Sequence, residues 1–592
     1  MIIILYAIGL FFIYLYLKSI DKRYESLYLI AYNFIAVVVM LIYTYMSTTG
    51  GTFSDIFFDV IYRTPAIMTF QGETDGLGNQ QLFVMFIASV LTLGAVVYIF
   101  FYQAITHSMI RTQIFLSRNV YVICGDDNLA QPLIDDIRNN SPRTPIVYIN
   151  EKAEVDEFDE PQIQLIRGTL QATRNYIDKL NKNKNYTFVL LPTENNNNIT
   201  WLTDLNRIGE HVKSIKVTAF LDNSLMRHMD LEFENIDAFL ISKESLLIHN
   251  FMAENLPIDL MVQKGLCTSV NGVYKCCKSL NIGLIGYLSL SEEYLLEVIE
   301  NSGIEDINSD KWAIKASIFD EQYKIKKAGM YQDYPYFKDD NCIHFEKYCP
   351  GSQKFYEHIE KKADKYHEFV ICLGDTEKNI QMALRLIRLY DKLGKDIPRP
   401  QIIVVLHDQA NGSIRLLQDQ KNVLFLQYNE SIYSYEDLVL RKTDLEAERI
   451  HNEYMNSSHT TIRWSQLGTF TKQSNRAVVW DVANKIALMP SLKELKENGN
   501  FNMNNSQETE ASFWELAKYE HRRWCAFHYT HGWSQLPVSE LTEDEIQNGT
   551  TKHLDEKRHI CLVPWDELDS LPQSEPGILK QYDYDNIKRI VL

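Results

Sequence analysis

His521 and Cys525 lie four residues apart, a spacing that puts both side chains on one face of a helix. A thiol beside an imidazole is the start of a nucleophilic pair. Attack on a carbonyl also needs a third group to orient the imidazole and donors for the oxyanion. The sequence alone supplies neither, and the expectation is a protein that is not an enzyme. Around the pair stand Trp524, Trp533 and Trp565 with Arg523, Lys557 and His559. Indole faces stack on nucleobases and cations donate to phosphates. His521, Arg523, Trp524, Trp533, Lys557 and Trp565 are therefore candidate nucleotide ligands. The same residues also fit a small aromatic core with solvated cations around it.

Two further stretches could hold phosphate. Residues 119–124 read as a strand, followed by the turn Gly125-Asp126-Asp127-Asn128 and a helix; a second apolar run, 146–149, ends at Glu151. Strand, glycine turn, helix, strand and acid is the order of a dinucleotide-binding unit, with backbone N–H groups for the phosphates and Glu151 for ribose. Two aspartates in the turn would repel a pyrophosphate, so either the ligand is not a dinucleotide or the turn is structural. The second candidate is a repeat. Thr193-Glu194 and Asn198 follow the apolar run 187–191, and Asp375 and Asn379 follow 369–373 in the same order. Gly286 follows the run 281–285 and Asp320 ends 314–319, as Gly125 and Glu151 do earlier. Ligand contact and helix capping account for these Asp/Asn turns equally well.

The elements that position these residues are strands alternating with helices, written twice. Residues 119–255 and 256–435 predict two doubly wound α/β lobes by internal duplication. Residues 436–511 predict a helical linker, with an amphipathic helix over 477–488 and an Asn-rich loop at 498–506. Residues 512–592 predict a small, mainly helical C-terminal domain. A net charge of −18 over 592 residues argues against a grip on nucleic acid. The nine cysteines form no C-x-x-C pair, which argues against a zinc ribbon and for free thiols in a reducing compartment.

Residues 1–118 have another character. Apolar runs at 1–17, 27–46 and 81–101 predict three membrane spans, and Lys18, Lys22, Arg23, Arg111 and Arg118 place the intervening and final ends in the cytoplasm. The expectation is a multi-pass protein of the cell (inner) membrane with Met1 outside and the large C-terminal part cytoplasmic. Residues 55–70 are apolar but too short to span. A re-entrant pore helix and an amphipathic helix on the bilayer surface both fit them.

Helix, short apolar helix, Thr-containing turn, helix and then duplicated nucleotide folds resemble tetrameric potassium channels with regulator-of-potassium-conductance (RCK, or TrkA-N-type) domains. The resemblance implies a homotetramer around a central pore. Its filter would come from Thr69, Phe70, Gln71, Gly72, Glu73 and Asp75, where the family has a T-V-G-Y-G-type loop. One glycine stands in that turn, so the implied pore passes monovalent cations with its selectivity left open. Glu520-His521-Arg522-Arg523-Trp524, Gly532-Trp533, Lys557-Arg558-His559 and Leu562-Val563-Pro564-Trp565 resemble a ryanodine-receptor-type (RyR) domain over 512–592. Together these imply a cation channel gated by a nucleotide: NAD, ATP or ADP, or a cyclic second messenger. Two other readings remain: a stress or antiphage effector that depolarises the cell, and a non-conducting regulatory subunit of a transporter.

Overall fold

The computed structural model describes residues 6–10, 22–49, 52–68, 77–125, 127–150, 163–167, 170–192, 197–228, 230–301, 305–306, 309–340, 342–407, 412–427, 432–458, 462–493, 507–572 and 576–591. Thr69, Phe70, Gln71, Gly72, Glu73, Asp75, Asp126, Glu151, Thr193 and Glu194 lie outside the described residues, as do most of the 1–17 run and the Asn-rich loop. The chain divides into two compact units, residues 1–117 with 154–165, and residues 118–153 with 166–592.

The first unit is built from helices Lys22–Thr49, Phe53–Met68 and Asn79–Leu116. Tyr28–Ser47 and Asn79–Val97 are each long and apolar enough to cross a membrane. The last helix continues well past the expected end of its apolar run. At 38 residues it is about 57 Å long, against the ~30 Å that a bilayer core requires. The short helix contains Pro65. Val37, Leu41, Val60, Ile67, Val84, Met85 and Ala88 form one buried cluster among the three helices. Several polar groups beside it are paired, while Asn33 Nδ2 is buried without a hydrogen-bond partner. Gln81 Nε2 donates to Thr44 Oγ1 at 2.6 Å, Thr64 Oγ1 to the Val60 carbonyl at 2.7 Å, and Tyr6 Oη to Asn33 Oδ1 at 2.7 Å. On the outer faces Ile35, Val39, Phe86 and Leu93 are exposed.

The second unit contains two six-stranded sheets. In the first, β1 (Asn119–Cys124), β2 (Ile146–Asn150), β3 (Ile163–Arg167), β4 (Asn185–Leu190), β5 (Ser214–Phe220) and β6 (Asp237–Ile241) stand in the order 3-2-1-4-5-6. A hairpin follows, β7 (Cys267–Val270) and β8 (Val273–Cys276), then β9 (Leu280–Ile285), β10 (Glu305–Asp306), β11 (Ser309–Trp312) and β12 (Ile314–Phe319). The chain continues through β13 (Ile343–Glu346), β14 (Glu368–Ile371), β15 (Gln401–Leu406) and β16 (Val423–Gln427). The second large sheet has the order 13-12-9-14-15-16, which is 3-2-1-4-5-6 again, with parallel pairing throughout. That is the doubly wound Rossmann order, occurring twice. The strands are near-continuous apolar runs because both faces of a parallel sheet are covered by helices. β14, all buried, and β15, buried after its first residue, show it plainly.

The second copy carries insertions that the sequence reading omits. β13 is only four residues long. The β7–β8 hairpin turns through Asn271 and Gly272, both at positive φ, the residues a tight two-residue hairpin requires. β7, β8, β10 and β11 form a separate small sheet.

The stretch read as a linker is packed. Helices Lys442–Ser458, Thr469–Trp480 and Val482–Leu488 bury Arg476, Asp481 and Lys485 almost completely. The expected single helix over 477–488 is two helices, with Asp481 capping the first. The C-terminal part consists of helix Gln507–Thr530, a three-stranded sheet of two-residue strands, and helix Ile578–Val591.

Candidate functional site

Gly125 after β1 and the glycine loop after β9 make contacts within the chain itself. After β1, the Gly125 carbonyl accepts from Tyr148 Oη at 3.0 Å, and Asn150 Nδ2 donates to the same phenol oxygen at 2.9 Å. The following helix begins at Asp127, with Asn128 in its first turn. After β9, Gly286 has φ +87, and an added Cβ would meet the Cys372 carbonyl oxygen at 2.1 Å. The next N–H groups are taken. Asp320 Oδ2 accepts from Tyr287 N at 2.9 Å, and Ser291 Oγ accepts from Leu288 N at 2.9 Å. Asp320 Oδ1 accepts from Gln322 N at 2.7 Å. The acid expected at a ribose therefore closes the loop whose amides would cradle phosphate.

The Asp/Asn turns also have internal partners. Asn198 Nδ2 reaches the Leu191 carbonyl at 3.0 Å and the Phe220 carbonyl at 2.7 Å. In the second copy Asn379 Nδ2 donates to the Val405 carbonyl at 2.8 Å, and its Oδ1 accepts from Leu373 N at 2.7 Å. Each Asn ties a helix start to the ends of two neighbouring strands. Asp375 caps its helix, accepting from Lys378 N at 2.8 Å.

Gly286→Ala combines a steric overlap with backbone that an L-residue rarely adopts. It is expected to lower stability by about 2 kcal/mol or more. Gly329→Ala, in open space within helix Tyr323–Asp333, is expected to be neutral or slightly stabilising. Urea unfolding of the two variants side by side checks both.

An open cleft lies instead against helix Gln507–Thr530. Lys518, His521, Arg522, Cys525 and Tyr529 fall at i, i+3, i+4, i+7 and i+11, one face of a helix. They line a recess open to solvent, together with Val563, Pro564 and Trp565 and with Trp312 and Tyr336 of the second lobe. The aromatic walls are organised. Tyr336 and Tyr529 stack with centroids 3.6 Å apart, and the Arg522 guanidinium lies 4.9 Å from the Trp312 ring centroid. Trp312 Nε1 donates to Tyr336 Oη at 3.1 Å, which in turn donates to Asp340 Oδ2 at 3.2 Å. Flat π-faces beside three nitrogen cations suit an aromatic anion.

Of the six C-terminal candidates, His521 and Trp565 line this cleft. Arg523 points to the opposite side of the helix, where it pairs through two nitrogens with Glu520 at 2.8 and 2.9 Å. Lys485 bonds Asp481 at 2.5 Å and Glu520 at 2.7 Å in the same buried group. Trp533 is buried and stacks on Phe470 at 5.1 Å. Trp524 packs on His528 and His559. Lys557 Nζ donates to the carbonyls of Arg227 and His531 at 3.2 and 3.1 Å. Arg522, Lys518, Trp312 and Tyr336 are absent from the sequence-based list. Helical phase from Glu520, whose i+3 partner is Arg523, could have separated Arg522 from Arg523; nothing in the sequence pointed to Trp312.

Behind the cleft, Arg227 joins three parts of the chain. Its Nη2 pairs with Glu293 Oε2 at 2.9 Å and its Nη1 with Glu300 Oε1 at 2.8 Å, while Glu297 stands at 3.7 Å. Thr530 Oγ1 donates to Glu300 Oε1 at 2.5 Å, Ser245 Oγ bonds Glu293, and His249 Nε2 lies 3.1 Å from Glu297. Burial, and then the neighbouring Glu297, hold the Glu300 carboxyl up at about 7.

No family model matches the chain, and no curated protein does. Among solved structures, the GsuK channel bound to ADP is similar, at 12% identity over 69% of this chain and 96% of that one, with a TM-score of 0.32. The GsuK channel bound to NAD is similar at 11% identity over 72% and 86%, TM-score 0.32. The human SLO3 gating ring is similar at 8% identity over 55% and 85%, TM-score 0.36. All three likenesses are remote in sequence and in superposition.

Proposed function

We propose that this chain is the subunit of a nucleotide-gated membrane channel whose duplicated Rossmann lobes and C-terminal domain sense the ligand. One observation carries the sensing: the cleft joins stacking rings and cations drawn from two parts of the soluble unit, Trp312 and Tyr336 from the second lobe and Arg522 and Trp565 from the C-terminal domain. A ligand held from both sides favours one arrangement of those parts over another, and this difference in affinity is what gating requires. The apolar helices with exposed outer faces support a place in a bilayer. Helix Asn79–Leu116 leads within three residues into β1, a short covalent link between membrane unit and sensor. In this reading four copies surround a cation pore lined near Gly72, Rossmann lobes act as RCK-type domains and residues 512–592 as an RyR-type domain. The closed loop at Gly286 favours the cleft over the second Rossmann site for the nucleotide.

Purified chain in planar bilayers, exposed in turn to ATP, ADP, NAD and cyclic dinucleotides, tests it. The expected result is current that depends on one of these. Stacking and charge contacts of this kind contribute about 1–3 kcal/mol each, so Trp312→Ala and Arg522→Ala should each weaken calorimetric binding about tenfold. Unchanged affinity in both variants removes the cleft from the proposal. Ligand-dependent but unselective current favours the depolarising effector; silence with every nucleotide favours the regulatory subunit.

A further inference from the structure

The cleft contains a thiol, and the third group that the sequence left out is present beside it. Cys525 Sγ lies 3.5 Å from His521 Nε2, and His521 Nδ1 lies 3.2 Å from Asp583 Oδ2 on the C-terminal helix. We propose that Cys525 is an activated nucleophile and a site of covalent modification by small soft electrophiles that enter the cleft, with His521 stabilising its thiolate and Asp583 holding the imidazole. This is independent of which nucleotide, if any, the cleft binds.

The argument begins with the ring. Its Nε2 is also 2.9 Å from the Val563 carbonyl, which only accepts. Nδ1 faces a carboxylate. Both nitrogens therefore face acceptors and both carry a proton, which makes the ring an imidazolium. Burial works against that charge, but Cys525 and then Asp583 outweigh it and raise His521 well above its ordinary value. An imidazolium beside sulfur stabilises the thiolate, the reactive form.

Other thiols lack this setting. Burial raises Cys124 and Cys372, and burial with Cys525 nearby pushes Cys561 up to about 12. Exposed Cys349 is raised by burial of its sulfur and by Glu321. Cys267 is lowered, through its bond to Cys276 across the β7–β8 hairpin, 3.9 Å away and outside the cleft.

The chemistry stops at an adduct. Cys525 sits inside helix Gln507–Thr530, where its own N–H is spent on the preceding turn and offers nothing to an oxyanion. With iodoacetamide, sulfur forms the C–S bond, the C–I bond breaks, iodide leaves with the pair, and the thiol proton stays on the imidazole until solvent removes it.

The charged and titratable groups facing the sulfur and the ring are Lys518, Arg522 and Tyr529 on the same helix, Asp583, Cys561, His559, and Tyr336 from the second lobe. Alkylation of the full-length chain in detergent with iodoacetamide, resolved per cysteine by mass spectrometry from pH 6.5 to 8.5, tests the proposal. An ordinary thiol near 8.5 speeds up tens of fold over that range, and Cys349, raised above its ordinary value, is expected to rise at least as steeply. With the His521 ring 3.5 Å from its sulfur, the proposal expects the Cys525 rate to change less than about threefold. Asp583→Asn, an isosteric change, should restore an ordinary profile at Cys525. The proposal is overturned if Cys525 in the unaltered chain accelerates as Cys349 does, if it stays unmodified, or if Asp583→Asn leaves its profile flat.

Discussion

Arg227→Ala is expected to lower the stability of the second unit by about 3–5 kcal/mol at pH 8, as removing one partner of a buried ion pair does. Glu293, Glu297 and Glu300 are all buried around the guanidinium, and His249 alone cannot neutralise three carboxylates. The loss should shrink at pH 5, because Glu300 titrates near 7 and is then neutral. Adding Glu300→Gln to Arg227→Ala should recover part of the loss at pH 8. Urea unfolding of the full chain in detergent, at both pH values, measures this. A loss below about 1 kcal/mol at pH 8 is what exposed pairs give and would contradict the buried hub. The hub joins the helix after β5, helix Ser289–Glu300 and the end of helix Gln507–Thr530, so the variant is also expected to loosen the coupling between the cleft and the first lobe.

Glu368→Gln is expected to raise stability, and only at higher pH. Glu368 starts β14, is buried, and has Tyr294 Oη donating to its Oε1 at 2.6 Å. Burial raises its carboxyl from 4.5 to about 7, against a smaller opposing effect of Tyr294. The folded state then binds more protons than the unfolded state between those values. The stability this group provides is complete below about 4.5 and is lost as pH rises through about 7. At pH 8 the glutamine, which needs no proton, should gain up to about 3 kcal/mol. At pH 4.5 the two proteins should unfold together. Equal unfolding at pH 8 would show that Glu368 is ionised at little cost and has a counter-charge.

Much of the architecture could be read from the chain. Buried parallel strands are apolar runs ended by Gly or Asp turns, and β1, β9, β14 and β15 carry that pattern. The duplication was legible for the same reason, down to Asn198 and Asn379 at matching positions. β13 escaped because four residues with two polar ones give no clear period. The hairpin escaped although Asn271-Gly272 is a strong local signal. Arg523 pairs with Glu520 while Arg522 lines the cleft, since one residue turns a helical side chain by about 100°.

Residue order alone determined the two apolar helices, the two Rossmann lobes and the pairing of His521 with Cys525, because each depends on spacing along the chain. Only the tertiary structure decided where charge is buried, which aromatic rings face open space, and which acid stands behind His521. Those depend on segments far apart in the chain, His521 against Asp583, Trp312 against Arg522 or Arg227 against Thr530, and a local period carries no record of which distant surface a helix face will meet.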